Sequence, residues 1–286
     1  MTIGQNASRT KAALLAAAAL ATPGVAWAGP ADTYYERAFV VAADARCELF
    51  EPPVEAALVA ATAQARGAAL RAGTAEVALA AAARRARARA AAVPCGDPDL
   101  ATVRNRVDGA FSGWARTPRM TFPGARLDWT ANRLDSDRPG WRLMQASTVG
   151  ASPVTFGYAG QGETRELTAV VSFVGRSRPY AARIVLRDPV RVPRAWLAGD
   201  GLVPAAARAS VWATNVSAAD KGLLVEGRRA GEAWRFPASA ASALERLDPR
   251  ETFAIEFHFR DGSVATARFE AGDFAAGRAF LEMGIL

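Results

Sequence analysis

The chain is poor in the residues that build metal centres and nucleophilic active sites. It has one histidine, His258, and two cysteines, Cys47 and Cys95, among 286 residues. Structural or catalytic zinc needs three or four His, Cys or carboxylate ligands, so His/Cys-based metal chemistry is all but excluded. A Ser-His-Asp hydrolase would have to use His258, and the chain has no Gly-x-Ser-x-Gly turn. There are only two lysines, Lys11 and Lys221, and neither belongs to a Gly-x-x-x-x-Gly-Lys phosphate loop. Asp135, Asp137 and Gly140 look like the start of a calcium loop. Pro139 stands where an oxygen ligand is needed, however, and Ala146 stands at the closing position, so the segment reads as a turn. No cofactor and no metal are expected.

What the chain has is alanine and arginine. Alanine is about a quarter of the residues, so the 51% hydrophobic fraction overstates the burial available. The formal net charge is +7, almost wholly from arginine.

The first 28 residues read as a cleaved secretory signal peptide. Arg9 and Lys11 give a positive start, Ala12 to Ala21 an uncharged apolar run, and Ala26-Trp27-Ala28 a small-x-small cleavage signal before Gly29. The run is too short for the roughly 20 residues that span a bilayer core, and no later segment reaches 18 apolar residues. Cleavage would leave a net charge of +5, too mild an excess to argue for nucleic-acid binding. The expected location is the periplasm or the exterior, with no transmembrane segment after cleavage. In that oxidising setting Cys47 and Cys95 are expected to form a disulfide.

The expected fold class is α+β: a disulfide-stapled helical region over residues 29–116, then a mostly antiparallel β-rich region over 117–286 with two short helices. In the first region a Thr33/Glu36 capping box opens a helix striped by Tyr35, Phe39, Ala42, Arg46 and Leu49. Pro52-Pro53 opens a second helix running to about Leu70. Thr74 caps a third, running to about Ala92, and Asp97-Pro98 starts a fourth. Short links make these antiparallel neighbours in a small bundle.

Beyond residue 116 the period changes to two. Strands are expected at Arg126–Thr130, Trp141–Thr148, Val154–Ala159, Leu167–Val174 and Ala182–Leu186. A second group comes at Ser210–Asn215, Ala233–Phe236, Phe253–Phe259 and Val264–Phe269. Asp261-Gly262 marks a hairpin between the last two. Ser239–Leu247 and Ala275–Met283 read as short helices. The segments from Val170 and from Ala254 can be aligned as two copies of a strand, turn, strand and apolar end, which raises the expectation of a duplicated unit.

Phe253 to Phe259, Asp261-Gly262, Val264 to Phe269, Gly272, Phe274 and Ala275 to Leu281 together resemble the end of periplasmic proteins of the invasion-associated locus B family. Those proteins close with a strand hairpin, a Gly-containing link with Phe, and a short helix. The resemblance covers about a tenth of the chain and gives the helical half no counterpart. It implies a local ending and not a family assignment.

Two clusters are candidates for function. Arg84, Arg85, Arg87 and Arg89 crowd one side of the third helix, opposite Leu79, Ala83, Ala86, Ala90 and Val93. They form either an anion-binding surface for acidic lipid or cell-wall polymer, or a solvated face partly paired with acids. Glu256, His258 and Arg260 share one side of a strand, the pattern of a solvated polar face. These features point to an exported protein without recognisable catalytic machinery, binding a protein partner or an envelope component. The alternatives are a hydrolase using carboxylates alone, marked by two facing Asp or Glu in a deep cleft, and a carrier holding a small apolar ligand inside the β half.

Overall fold

A computed structural model describes residues 29–175, 178–198 and 201–286. The expected signal segment, Met1 to Ala28, lies outside the described residues.

Four helices come first: α1 (Pro30–Cys47), α2 (Pro52–Arg71), α3 (Glu76–Ala92) and α4 (Pro98–Ala115). Pro52-Pro53 and Pro98 sit in first turns, where a missing N–H costs nothing. The Asp97 carboxylate accepts from the Asp99 N–H at 2.8 Å, capping α4 as its spacing predicts. Two starts differ from expectation. Helix α1 begins four residues earlier, because Pro30 sets the first turn and Asp32, not Glu36, reaches back to the Gly29 N–H at 3.0 Å. Helix α3 starts after Ala75 with no side-chain cap, which leaves Thr74 outside it. The chain leaves α1 through Glu48 in the left-handed region, and the Asp44 carboxylate accepts from the N–H groups of Leu49 and Phe50 at 2.8 and 3.0 Å.

The bundle interior is Phe39, Val40, Ala43, Leu58, Ala86, Ala90, Leu100 and Val107. Fully buried alanines on α1 and α3 leave no room for larger side chains and let the helices pack closely. Cys47 and Cys95 are bonded, with Cα atoms 5.5 Å apart, as expected of an oxidised pair. The bond ties the end of α1 to the link after α3. Beside it, Arg46 donates to the terminal carbonyls of α3, Ala91 O at 3.3 Å and Val93 O, as a cation at a helix C-terminus should.

The second half is two antiparallel sheets. Strands β1 (Arg119–Phe122), β2 (Trp129–Asn132), β3 (Gly140–Val149), β4 (Ser152–Gly160), β5 (Glu166–Val171), β8 (Asn215–Ala218) and β9 (Glu232–Phe236) form a seven-stranded sheet in the order β1-β2-β3-β4-β5-β9-β8. Strands β6 (Ala181–Arg187), β7 (Arg208–Trp212), β10 (Thr252–His258) and β11 (Val264–Glu270) form the other, ordered β11-β10-β6-β7. Helices α5 (Ala238–Glu245) and α6 (Phe274–Leu281) complete the chain. The mixed α+β class read from the sequence is what the structure has.

The sheets pack face to face around Phe156 of β4. Its ring meets Trp129, Phe236, Phe253 and Phe269, strands of both sheets, at 5.5–6.2 Å. Alternation along β10 turns Phe253, Ile255 and Phe257 into this core, as their period-two spacing requires.

The strands depart from the sequence expectation in four places, the first being that the strand expected over Arg126–Thr130 lies at Trp129–Asn132. Strand β1, Arg-Met-Thr-Phe, is not among the expected strands: it alternates polar and apolar with Met120 and Phe122 turned inward, but four residues are too short a run to announce a strand. The single strand expected over Ser210–Asn215 is two: the chain leaves β7 in one sheet and enters β8 in the other within three residues. The segments aligned as a repeat pair differently: β5 bonds β4 and β9, whereas β10 and β11 form a hairpin.

Helix α2 carries the bundle onto the sandwich. Ala60 joins the sandwich core, and Arg71 bonds Asp273, which stands just before α6. Gly67 makes the approach possible: a Cβ there would lie 1.9 Å from Asp273 Oδ1. Trp129 anchors the same corner by donating to Ala271 O at 2.9 Å.

Candidate functional site

The arginines of α3 reach solvent. Arg84, Arg85, Arg87 and Arg89 are all exposed, while Leu79, Ala82, Ala86 and Ala90 face the bundle. Of the side expected opposite the arginines, Ala83 is half-buried and Val93 packs at the core margin. Partial pairing with acids does not occur: among the described residues no carboxylate lies within ion-pair reach of Arg84, Arg85, Arg87 or Arg89. Arg89 is set apart from the others, because its guanidinium stacks 4.8 Å over the Phe39 ring of α1. Arg84, Arg85 and Arg87 therefore form a cationic face with its hydrogen-bonding capacity open to solvent.

The Glu256/His258 face is more built than its strand alone implies. Register places Arg183 of β6 opposite Glu256 and Trp212 of β7 opposite Arg183. Arg183 donates to Glu256 Oε2 from Nε at 2.8 Å and pairs with it from Nη2 at 2.7 Å. The same guanidinium lies 5.1 Å over the Trp212 ring. His258 is half-buried beside this pair, with Trp212 at 5.3 Å and Tyr180 at 6.5 Å between ring centroids. Its Nε2 stands 3.7 Å from Glu256 Oε2. Glu256 is thus a buried ion-pair member and not a solvated residue. The reason is cross-strand: β6 and β7 supply a cation and an indole that nothing in the spacing of β10 announces. Arg260 is exposed, as expected.

Several carboxylates elsewhere are held by arginines. A cleft of about 380 Å³ between α2, α5 and the segment after β6 brings Glu76, Glu245 and Asp248 to one wall system. Glu76 pairs with Arg66 at 2.5 Å, Glu245 with Arg278 at 2.9 Å and Asp248 with Arg250 at 2.9 Å. Burial works against ionisation of Asp248, but the Arg250 hydrogen bonds outweigh it and hold the carboxyl below its usual range. A glycosidase acid needs a raised pKa, and Asp248 is held the other way. Deeper, Glu251 takes both ends of Arg187 at 2.6 and 2.9 Å, with both side chains buried. Glu251 also accepts from the N–H groups of Trp196 and Asp248 at 3.0 and 2.8 Å. Glu270 accepts from Arg126 Nε and from the Arg126 and Leu127 N–H groups at 2.6–3.0 Å. Burial opposes its charge, and those bonds still hold its carboxyl below the ordinary range.

One carboxyl goes the other way. Burial pushes Asp273 up to about 6, with Arg71 pulling against it. Its partner on α2 and its position under Gly67 make it a structural joint between the halves.

The interior of the sandwich is filled by aromatic rings. Among the described residues no group of three or more His, Cys, Asp or Glu could hold a metal ion, and no helix is long and apolar enough to cross a membrane. The chain matches no family model, no curated protein and no solved structure, so its reading rests on the residues themselves.

Proposed function

We propose that this chain is an exported protein, freed of residues 1–28, that binds an anionic envelope component without catalysing a reaction on it. The observation that carries the reading is the open cationic face of α3: Arg84, Arg85 and Arg87 are exposed and have no carboxylate partner among the described residues. Guanidinium groups bind phosphate or carboxylate through two parallel hydrogen bonds, which lysine cannot copy. Three such groups within a single turn of one helix suit a surface carrying many anions, such as lipid headgroups. The arginine-clamped carboxylates support the absence of hydrolytic chemistry, and the ring-filled sandwich argues against an internal apolar ligand.

The test is cosedimentation with phosphatidylglycerol vesicles, with phosphatidylcholine vesicles as the neutral control. The wild type is compared with Arg84→Gln/Arg85→Gln/Arg87→Gln. Gln keeps helix propensity near that of Arg, and Arg89 is left on Phe39, so the helix survives. Binding to the anionic vesicles alone, weakened by salt as the Debye length falls from about 10 Å at 0.1 M to 3 Å at 1 M, and absent in the variant, supports the reading. Equal binding by both proteins rejects it.

A further inference from the structure

The two seams of the sandwich are finished differently. On one side, β11 lies along β3, and side chains of β3 take up its edge. The Glu270 N–H donates to Gln145 Oε1 at 2.7 Å, Gln145 Nε2 donates to Glu270 O at 3.2 Å, and Ser147 Oγ donates to Arg268 O at 2.6 Å. On the other side, β8 ends the seven-stranded sheet and pairs only with β9. The Ala219 N–H donates to Gly231 O at 2.9 Å. Bonded pairs alternate along an antiparallel ladder, so Ser217 turns its amide toward β9, and Val216 and Ala218 turn theirs outward. No described group receives the Val216 or Ala218 N–H. All four residues of β8 are exposed.

Edges of this kind are templates for another strand, and proteins usually blunt them. Here the strand itself, Asn-Val-Ser-Ala, carries no charge and no proline. Its charges stand beside it. A cleft of about 380 Å³ runs along β8 and holds Arg178, Lys221 and Arg229, with Val216 and Leu224 as apolar wall. Its one acid is Glu232, 3.5 Å from Arg178. Burial pushes the Glu232 carboxyl above its usual range, against the pull of Arg178, which further weakens the only negative charge in the cleft.

We propose that the free edge of β8 is a docking site for an extended acidic segment of a partner protein, which adds a strand to the seven-stranded sheet and sets a carboxylate among Arg178, Lys221 and Arg229. Main-chain bonds to Val216 and Ala218 supply affinity, and the cationic cleft supplies selection. A second copy of this chain fits less well, because pairing β8 with β8 would bring the two sets of cations together. The site is separate from the arginines of α3 and does not rest on them.

The probe is a fluorescein-labelled eight-residue peptide of alternating Val and Glu, titrated against the full chain by anisotropy. The same peptide with Lys for Glu is the control. Four readouts decide. The lysine peptide should bind at least tenfold more weakly. Val216→Pro should cost about tenfold, the loss of one or two net hydrogen bonds, since the proline removes an outward N–H and leaves the β9 ladder intact. Bound acidic peptide should slow hydrogen exchange at Val216 and Ala218. Lys221→Glu/Arg229→Glu should weaken acidic-peptide binding by a similar factor, and it decides the case if Val216→Pro melts early. Failure of the wild type to bind the acidic peptide at millimolar concentration overturns the proposal, as does unchanged exchange at Val216 and Ala218. A wild-type dimer that Val216→Pro converts to monomer overturns it in favour of self-pairing.

Discussion

Arg71 of α2 donates to the carboxylate of Asp273, 202 residues further along the chain, and this bond fastens the helical half to the sandwich. Asp273 is fully buried, and Gly67, one turn before Arg71, gives it room. The joint makes the first prediction. Gly67→Ala should destabilise the protein, although alanine is the better helix former by about 1 kcal/mol. The new methyl would occupy the place of Asp273 Oδ1 and push the carboxylate off Arg71. A urea melt showing Gly67→Ala at or above wild-type stability would contradict this account of the joint.

The same carboxyl gives a pH dependence of known sign. Its folded pKa, about 6, lies above its ordinary value of 3.8, so the folded state binds the proton more tightly. This group's contribution is fully present below about pH 4 and is lost as pH rises through 6, a span worth up to about 3 kcal/mol. Glu270 and Asp248 act oppositely, because their carboxyls are held low; their contributions persist above the ordinary carboxylate range and fade only as pH falls below it. Between pH 7.5 and 5 the stability of the wild type relative to Asp273→Asn should therefore rise. A difference that is flat across this interval, measured by chemical denaturation at both pH values, would show that Asp273 does not titrate there.

Removing the disulfide should cost a few kcal/mol. Cys47 and Cys95 are 48 positions apart, and the chain-entropy model gives a loop of that size about 4 kcal/mol. Cys47→Ser/Cys95→Ser should lower the melting temperature markedly. Thiol labelling of unreduced, unfolded wild type should find no free cysteine.

Glu251 and His258 should respond very differently to replacement. Glu251→Ala leaves Arg187 buried without its partner and strips acceptors from the Trp196 and Asp248 amides, so a loss of about 3–5 kcal/mol is expected. His258→Ala removes one ring from a half-exposed cross-strand cluster, and about 1 kcal/mol or less should be lost. Comparable losses in the two variants, measured by the same denaturant titration, would refute the contrast between buried and rim positions.

How much of the molecule is legible in its sequence depends on whether a feature is local. Pro52-Pro53, Asp97-Pro98 and the alternating phenylalanines of β10 act on their own neighbours, and the helices and strands they announce are present. The two cysteines, taken as a pair, announce the bond. What the sequence conceals is pairing across distance. Nothing near Glu256 indicates that β6 will bring Arg183 opposite it. Nothing near Gly67 indicates a carboxylate pressing on it from the end of the chain. The open edge of β8 is hidden for the same reason. The Ser210–Asn215 stretch reads as one strand, and only the competition between two sheets splits it. The arginines of α3 are visible, whereas their lack of acidic partners among the described residues depends on where the other elements lie.

The Cys47–Cys95 bond encloses α2 and α3 in a covalent ring, and α2 is the helix that grips the sandwich. Oxidation and docking therefore act on one element. Closing the ring limits the paths α2 can take in the unfolded chain and so raises its chance of meeting Asp273, while docking holds α2 in place and brings the two thiols within reach. Each event lowers the entropic barrier to the other. A reducing environment should for that reason loosen the contact between the halves as well as the bundle, and the two halves should gain their final order together once the chain meets an oxidant.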